Sequence, residues 1–207
     1  MAISNGYTTL ALLKAELGIP TATTTYDTKA EQAVEAASRQ IDGHCGRRFW
    51  QDGSVVVREF YADNFQECFT DDISTTTGLI VKTDSNQDGT YATTLTISTN
   101  FIVLPTNAGD RSPVWPYEML RIVDGTSAFT VEDFGRPGVQ VTAKFGWPAV
   151  PTDIAKACLI QATQLFKASD AVFGGMSFGD GGFMRVRSDL TPMAVGLLAP
   201  YCKPRVA

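Results

Sequence analysis

The chain holds one histidine, His44, and it stands beside Cys45. A Cys-His pair could supply a thiolate and its base, but neighbours in sequence point their side chains apart. No G-x-S-x-G or paired-carboxylate motif surrounds them. A histidine at a helix end, favoured by the negative end of the dipole, is the simpler reading. An enzyme is therefore not expected, and no cofactor site is read in the chain.

The segment DSNQDG at 84–89 reproduces the D-x-N-x-D-G opening of a calcium loop. Position twelve then falls on Leu95, where a bidentate glutamate is required, and the flanks alternate like strands. A turn is expected there, because Asp, Asn and Gly tolerate positive φ. The glycine run 174–182 is followed by no Lys-Ser/Thr and does not link a strand to a helix start, so it is not a phosphate loop. With Phe173, Met176, Phe178 and Phe183 it is an unusually apolar loop, either docked on a neighbouring subunit or folded onto its own core.

Arg47, Arg48, Phe49 and Trp50 form the densest cation-aromatic cluster. The arginines could clasp a partner's carboxylates, or complement a helix C-terminus while their stems cover the two rings. Cys45, Cys68, Cys158 and Cys202 are scattered without a C-x-x-C. In a reducing compartment they serve as small buried hydrophobes, and neither a disulfide nor a metal site is expected.

Two helical segments must position these groups. In 26–50, Thr28 with Glu31 fits a capping box, Ala30, Val34, Ala37 and Ile41 make a narrow stripe suited to close packing, and Gly43 and Gly46 end the helix. In 145–170, Pro151 or Thr152 opens a helix whose Ile154, Ala157, Cys158, Leu159, Ile160, Leu165 and Phe166 cover most of its circumference. Such a helix is central, buried in a core or between subunits. A short helix precedes them around Leu10, Leu13 and Leu17, and another follows with Thr191 as cap and Pro192 at its first position.

Between the two segments the period changes. Strands are expected at 54–61, 78–83, 91–98, 101–104, 118–123 and 138–145, antiparallel and bounded by turn residues. Ten of the 24 threonines fall in 51–100, which suits half-exposed strands. The fold class is α+β: a small helical bundle, residues 1–53 and 147–207 with a C-terminal arm, carrying an antiparallel β-rich insertion at 54–146. Residues 54–146 hold six basic and twelve acidic groups and residues 147–207 hold six and four, so the middle is net −6 and the last part net +2. That balance excludes a general nucleic-acid binder. The cations Arg185, Arg187, Lys203 and Arg205 are too thinly spread for a DNA footprint and suit a protein partner better. Charged residues make up only 19%, which fits a surface partly covered by partners. Neither a membrane span nor a signal peptide is read, so synthesis in a cytosol is expected.

The strings YTTLALLKAELGI (7–19) and AVEAASRQIDGHCGRRFW (33–50) resemble the opening of head-to-tail connector proteins of long-tailed bacteriophages, also called adaptor or head-completion proteins. DGTYATTLTISTNFIVLPTNA (88–108), the Gly-Trp-Pro turn and proline-led helix of 141–174, and the closing LAPYCKP (198–204) continue the resemblance through most of the chain. Ala168 and Ser169 stand where the family commonly has two basic residues.

The resemblance implies a structural virion protein at the head-tail junction. Copies would form a ring, twelve-fold, beneath the portal protein, extend the DNA channel without sequence-specific binding, and offer a platform to the next neck or tail component. Arg47, Arg48, Phe49, Trp50, Ile154, Cys158, Phe166, Phe173, Met176, Phe178, Arg185 and Arg187 are the candidate interface residues. A competing reading makes the β region a virion surface module that binds a host glycan or receptor, with Tyr61, Tyr91, Trp115 and Tyr117 as platforms.

Overall fold

The computed structural model describes residues 3–131, 135–168, 175–178, 182–185 and 189–203. The chain divides into two compact units, one of Met1–Phe49 with Val150–Ala207 and one of Trp50–Ala149. The fold class is α+β, as the alternation of helical and strand periods predicts.

The first unit is helical. Helix α1 (Leu10–Glu16) is capped by Thr9, whose hydroxyl accepts the Leu12 N–H at 3.2 Å. Helix α2 (Asp27–Cys45) buries Ala30, Val34, Ala37 and Ile41, the predicted stripe, together with Ala33, Ser38 and Cys45. Its start differs from the expectation. Tyr26 occupies the cap position and makes no side-chain cap bond, so the Thr28/Glu31 capping box does not form. The Asp27 carboxylate instead meets Lys14 Nζ at 2.7 Å. Gly43 lies inside the helix, and Gly46 alone ends it, in the left-handed region at φ 64°.

Helix α3 (Thr152–Ala168) packs on α2 through small side chains. Ser38 Oγ lies 3.4 Å from Cys158 Sγ, accepts the Tyr7 N–H at 3.1 Å and donates to the Val34 carbonyl at 2.8 Å. Gln161, fully buried, donates to Gln40 Oε1 at 2.8 Å and accepts the Thr191 N–H at 3.1 Å, so a polar group in the core is satisfied. Within this chain α3 is not buried on all sides: Ile154, Ala157, Cys158, Ala162 and Phe166 face the core, while Leu159, Ile160 and Leu165 are half-buried. Helix α4 (Pro192–Leu198) has the predicted Thr191 cap, accepting the Ala194 N–H at 3.1 Å, and Pro192 in its first turn.

The second unit contains two antiparallel sheets. Strands β1 (Val56–Phe60), β3 (Ile80–Thr83), β4 (Thr93–Leu95) and β7 (Val139–Ala143) form one, ordered β1-β7-β3-β4. Strands β2 (Glu67–Ile73), β5 (Phe101–Leu104) and β6 (Tyr117–Ile122) form the other, ordered β2-β6-β5. The six expected strands are all present, and β2 is an addition. Inward residues of both sheets share one core, with Val81, Val139 and Val141 from the first and Cys68, Leu120 and Val103 from the second. Single bridges at Ile73–Phe145 and Ile97–Phe101 link the sheet margins.

The turn carrying 145–149 is locked by glycine. Gly146 has φ 105°, and a Cβ there would stand 1.9 Å from the Trp50 carbonyl oxygen. Its N–H donates to the Asp72 carbonyl at 2.6 Å. Trp147 is then fully buried, its indole N–H donating to Asp72 Oδ2 at 3.2 Å and its ring centroid 5.0 Å from that of Trp115.

The glycine run 174–182 is expected as an apolar loop and the MRVR that follows it at 184–187 as strand-like, and within these segments two strands pair. Strands β8 (Gly175–Phe178) and β9 (Gly182–Arg185) pair antiparallel from Gly175–Arg185 to Phe178–Gly182.

Candidate functional site

The sequence-derived candidates fall into distinct settings. In the first unit Phe49, Ile154 and Cys158 are fully buried. Phe49 meets Tyr7 and Tyr201 edge-on, with centroids 5.8 and 6.0 Å away, and these three rings form the aromatic heart of the unit. Phe166, also buried, packs edge-on against Tyr26 and carries the Lys29 ammonium 4.4 Å over its face. These residues build the helical core of their own chain.

Arg47 is buried and Arg48 half-buried, both just beyond the C-terminal end of α2. Their fields reach back onto that helix end, Arg47 onto Cys45 and Arg48 onto Asp42. Trp50 belongs to the second unit, where its carbonyl faces Gly146. Met176, Phe178 and Arg185 lie on the paired strands β8 and β9. Phe173 and Arg187 lie outside the described residues.

His44 stands in the last turn of α2, as expected. It lines a hollow of about 360 Å³ with Gln40, Asp189, Leu190 and Val195. Nearby, the Tyr7 hydroxyl donates to the Asp42 carboxylate and accepts the Phe49 N–H at 2.8 Å. Burial first, then the bond to Asp42, pushes the Tyr7 hydroxyl well above its ordinary value. Burial likewise raises Asp42. A phenol held neutral against a carboxylate is a structural clasp between the N-terminal segment and α2.

In the second unit the calcium-like segment behaves as a turn. Asp84 accepts the N–H groups of Asp88 at 3.2 Å and Gly89 at 2.7 Å, with Gly89 at φ 86°. Among the described residues no group of three or more His, Cys, Asp or Glu side chains is placed to hold a metal ion. None of their helices is long and apolar enough to cross a membrane. A hollow of about 460 Å³ in this unit is lined by Phe65, Thr83, Ser85, Thr93 and Thr130 among others. Its hydroxyls bond to one another: Thr83 to Thr130 at 2.9 Å and Ser85 to Thr93 at 3.0 Å.

The four aromatic residues considered as glycan platforms have separate engagements. Tyr61 and Tyr91 donate to the carbonyls of Gly135 and Pro137, at 3.1 and 2.9 Å. Trp115 rests against Trp147 under the Arg111 guanidinium, 5.4 Å from its centroid, and Tyr117 packs on the sheet core.

Two features escaped sequence reasoning. On the outward face of the β2-β6-β5 sheet, register places Phe69, Met119 and Leu104 in one apolar row, with Phe69 57% exposed. The row beside it carries the Glu67–Arg121 pair at 2.6 Å. Alternation within β2 was the available signal, hidden by its acidic residues. The second is the meeting of Cys45 and Cys202, whose Sγ atoms lie 3.5 Å apart. No spacing rule reveals a contact across 157 positions.

The fold thus defines an α+β protein in which a helical unit is interrupted in sequence by an antiparallel β unit. Neither a family model nor a curated protein matches this sequence. Among solved structures, a chain in the neck of an empty gene transfer agent particle, computed with C6 symmetry, has the same fold at a TM-score of 0.56 and 16% identity, over 100% of this chain and 95% of that one. A chain in the virion of a native gene transfer agent particle matches at 0.56 and 18%, with the same coverage.

Proposed function

We propose that the protein is a structural component of the neck of a phage-like particle, a head-to-tail adaptor. In this reading its copies form a ring between the portal and the next neck or tail component, and the ring extends the channel through which DNA passes. The observation that carries the reading is fold likeness over the full length of the chain to neck and virion chains of gene transfer agent particles. The connector-like order of motifs along the sequence points the same way. Half-buried Leu159, Ile160 and Leu165 on α3, and the outward Phe69–Met119–Leu104 row, offer apolar surface suited to subunit and neck contacts. The role is one of assembly rather than catalysis.

Native mass spectrometry at rising concentration, with and without purified portal rings, tests the proposal. A ring, free or templated on the portal, is expected. A chain that stays monomeric at high concentration and also fails to bind portal rings would overturn it. Imaging of assembled particles with this chain labelled should place it at the head-tail junction.

A further inference from the structure

Two thiols far apart in sequence meet where the C-terminal segment crosses the end of α2. Their sulfurs are 3.5 Å apart, in van der Waals contact. The approach is fixed from both sides. The Lys203 N–H donates to the Cys45 carbonyl at 2.9 Å, and the preceding Tyr201 is anchored by its hydroxyl on Asp153 Oδ2 at 3.0 Å and by its ring on Phe49. Cys45 is buried, while Cys202 is half-exposed and can meet a reagent from solvent. The other two cysteines are engaged elsewhere, Cys158 against Ser38 and Cys68 against the Tyr61 carbonyl.

We infer that Cys45 and Cys202 are an oxidation site: a low-molecular-weight disulfide converts the pair to an intramolecular disulfide that staples the C-terminal segment to the end of α2. Closing the sulfurs from contact to a bond of about 2.05 Å requires side-chain rotation and a small adjustment of the segment after Tyr201. The Cys202 thiolate attacks the small disulfide, forming a mixed disulfide and releasing one thiolate. Cys45 then gives up its proton and attacks the Cys202 sulfur, expelling the second thiolate. Two protein thiols are oxidised, one small disulfide is reduced to two thiols, and the two protons released are taken up by the departing thiolates. In the reduced pair, burial first and then the contact with Cys202 push the Cys45 thiol up to about 12, so the half-exposed Cys202 is the thiol that meets the reagent first.

In a reducing cytosol the pair stays as thiols; outside the cell it closes. That timing rests on the neck reading, since it supposes release of an assembled particle, whereas the chemistry belongs to the chain alone.

The test treats the reduced full chain with oxidised glutathione and follows intact mass after alkylation of remaining thiols. The expected product has lost two hydrogens, yields a Cys45–Cys202 linked peptide, and melts roughly 5 °C higher, reversibly on reduction. Cys202→Ser should fold normally and show neither change. A stable glutathione adduct without the cross-link, linkage through Cys68 or Cys158, or an unchanged melting temperature overturns the inference. Particles alkylated immediately after release should carry the bond. A reduced pair there overturns the timing alone, and absence of the chain from particles overturns the neck reading and leaves the chemistry of the free chain standing.

Discussion

Lys14 and Asp27 clamp the connection between α1 and α2, with Nζ 2.7 Å from Oδ1. The same ammonium donates to the carbonyls of Thr21 at 2.9 Å and Thr23 at 2.7 Å, so a nearly buried cation has three acceptors across the intervening loop. Removing it strands a carboxylate and two carbonyls at once. Lys14→Met is expected to cost about 2–4 kcal/mol, read by urea denaturation followed through the helical circular dichroism signal. A loss below about 0.5 kcal/mol would show that water replaces the ammonium at little cost.

This clamp also shows where sequence reasoning stops. The Thr28/Glu31 spacing is a valid local signal, yet a lysine thirteen residues upstream claims Asp27, and tertiary structure sets the helix start. The stripe Ala30–Ile41, the α4 cap and six strands were legible because each is written in local period or turn chemistry. Strand β2 was not, because it turns Thr70 and Asp72 inward and reads as polar. Of the pair β8–β9 only the strand-like Met184 and Arg185 were legible, because glycines pair through the main chain without strand propensity. Of the candidate site, residue types were legible but burial was not: the spacing that marks Phe49 and Ile154 as special suits a core as well as an interface.

A methyl group added at two glycines has opposite consequences. At Gly146 a methyl group meets the Trp50 carbonyl at a backbone angle that suits glycine, so Gly146→Ala should cost about 3 kcal/mol or more. Gly43 lies within α2 with open space around its Cβ position, so Gly43→Ala should add roughly 0.5–1 kcal/mol. Thermal unfolding of the two variants checks the contrast in sign, and a shift in the same direction for both would refute it.

Where α2 crosses α3, size and polarity are both set at Ser38. Ser38→Ala leaves the Tyr7 N–H without its acceptor and should cost about 1 kcal/mol. Ser38→Leu must also fit a larger side chain against Cys158 and should cost about 2–3 kcal/mol. Denaturant midpoints that reverse this order would mean that the helices separate easily.

The turn after β6 should resist acid. Asp124 accepts bonds from the Asn100 amide, the Ser127 hydroxyl and N–H, and the Thr126 N–H, and these hold its carboxyl well below the ordinary carboxylate range. A depressed value favours the charged folded form. The turn's contribution is therefore complete above the ordinary carboxylate value and fades as pH falls through the depressed one. Amide resonances of Thr126 and Ser127 should stay at their neutral-pH positions down to pH about 3. Titration near the ordinary aspartate value would contradict the bonding.

The division of the chain also sets a schedule for its synthesis. The partner of α2 is α3, which begins at Thr152, more than a hundred residues after α2 ends at Cys45. At about 5–20 residues per second, the apolar stripe of α2 waits roughly 5–20 s for its cover while the whole β unit emerges as one contiguous block. The β unit can complete its sheets on the ribosome; the helical unit closes only after α3 has followed the β unit out. Nascent chains stalled where the β unit has just cleared the exit tunnel and α3 has not should therefore hold a folded β unit and an α2 open to chaperones, and the small residues of the α2 stripe keep that exposed surface modest.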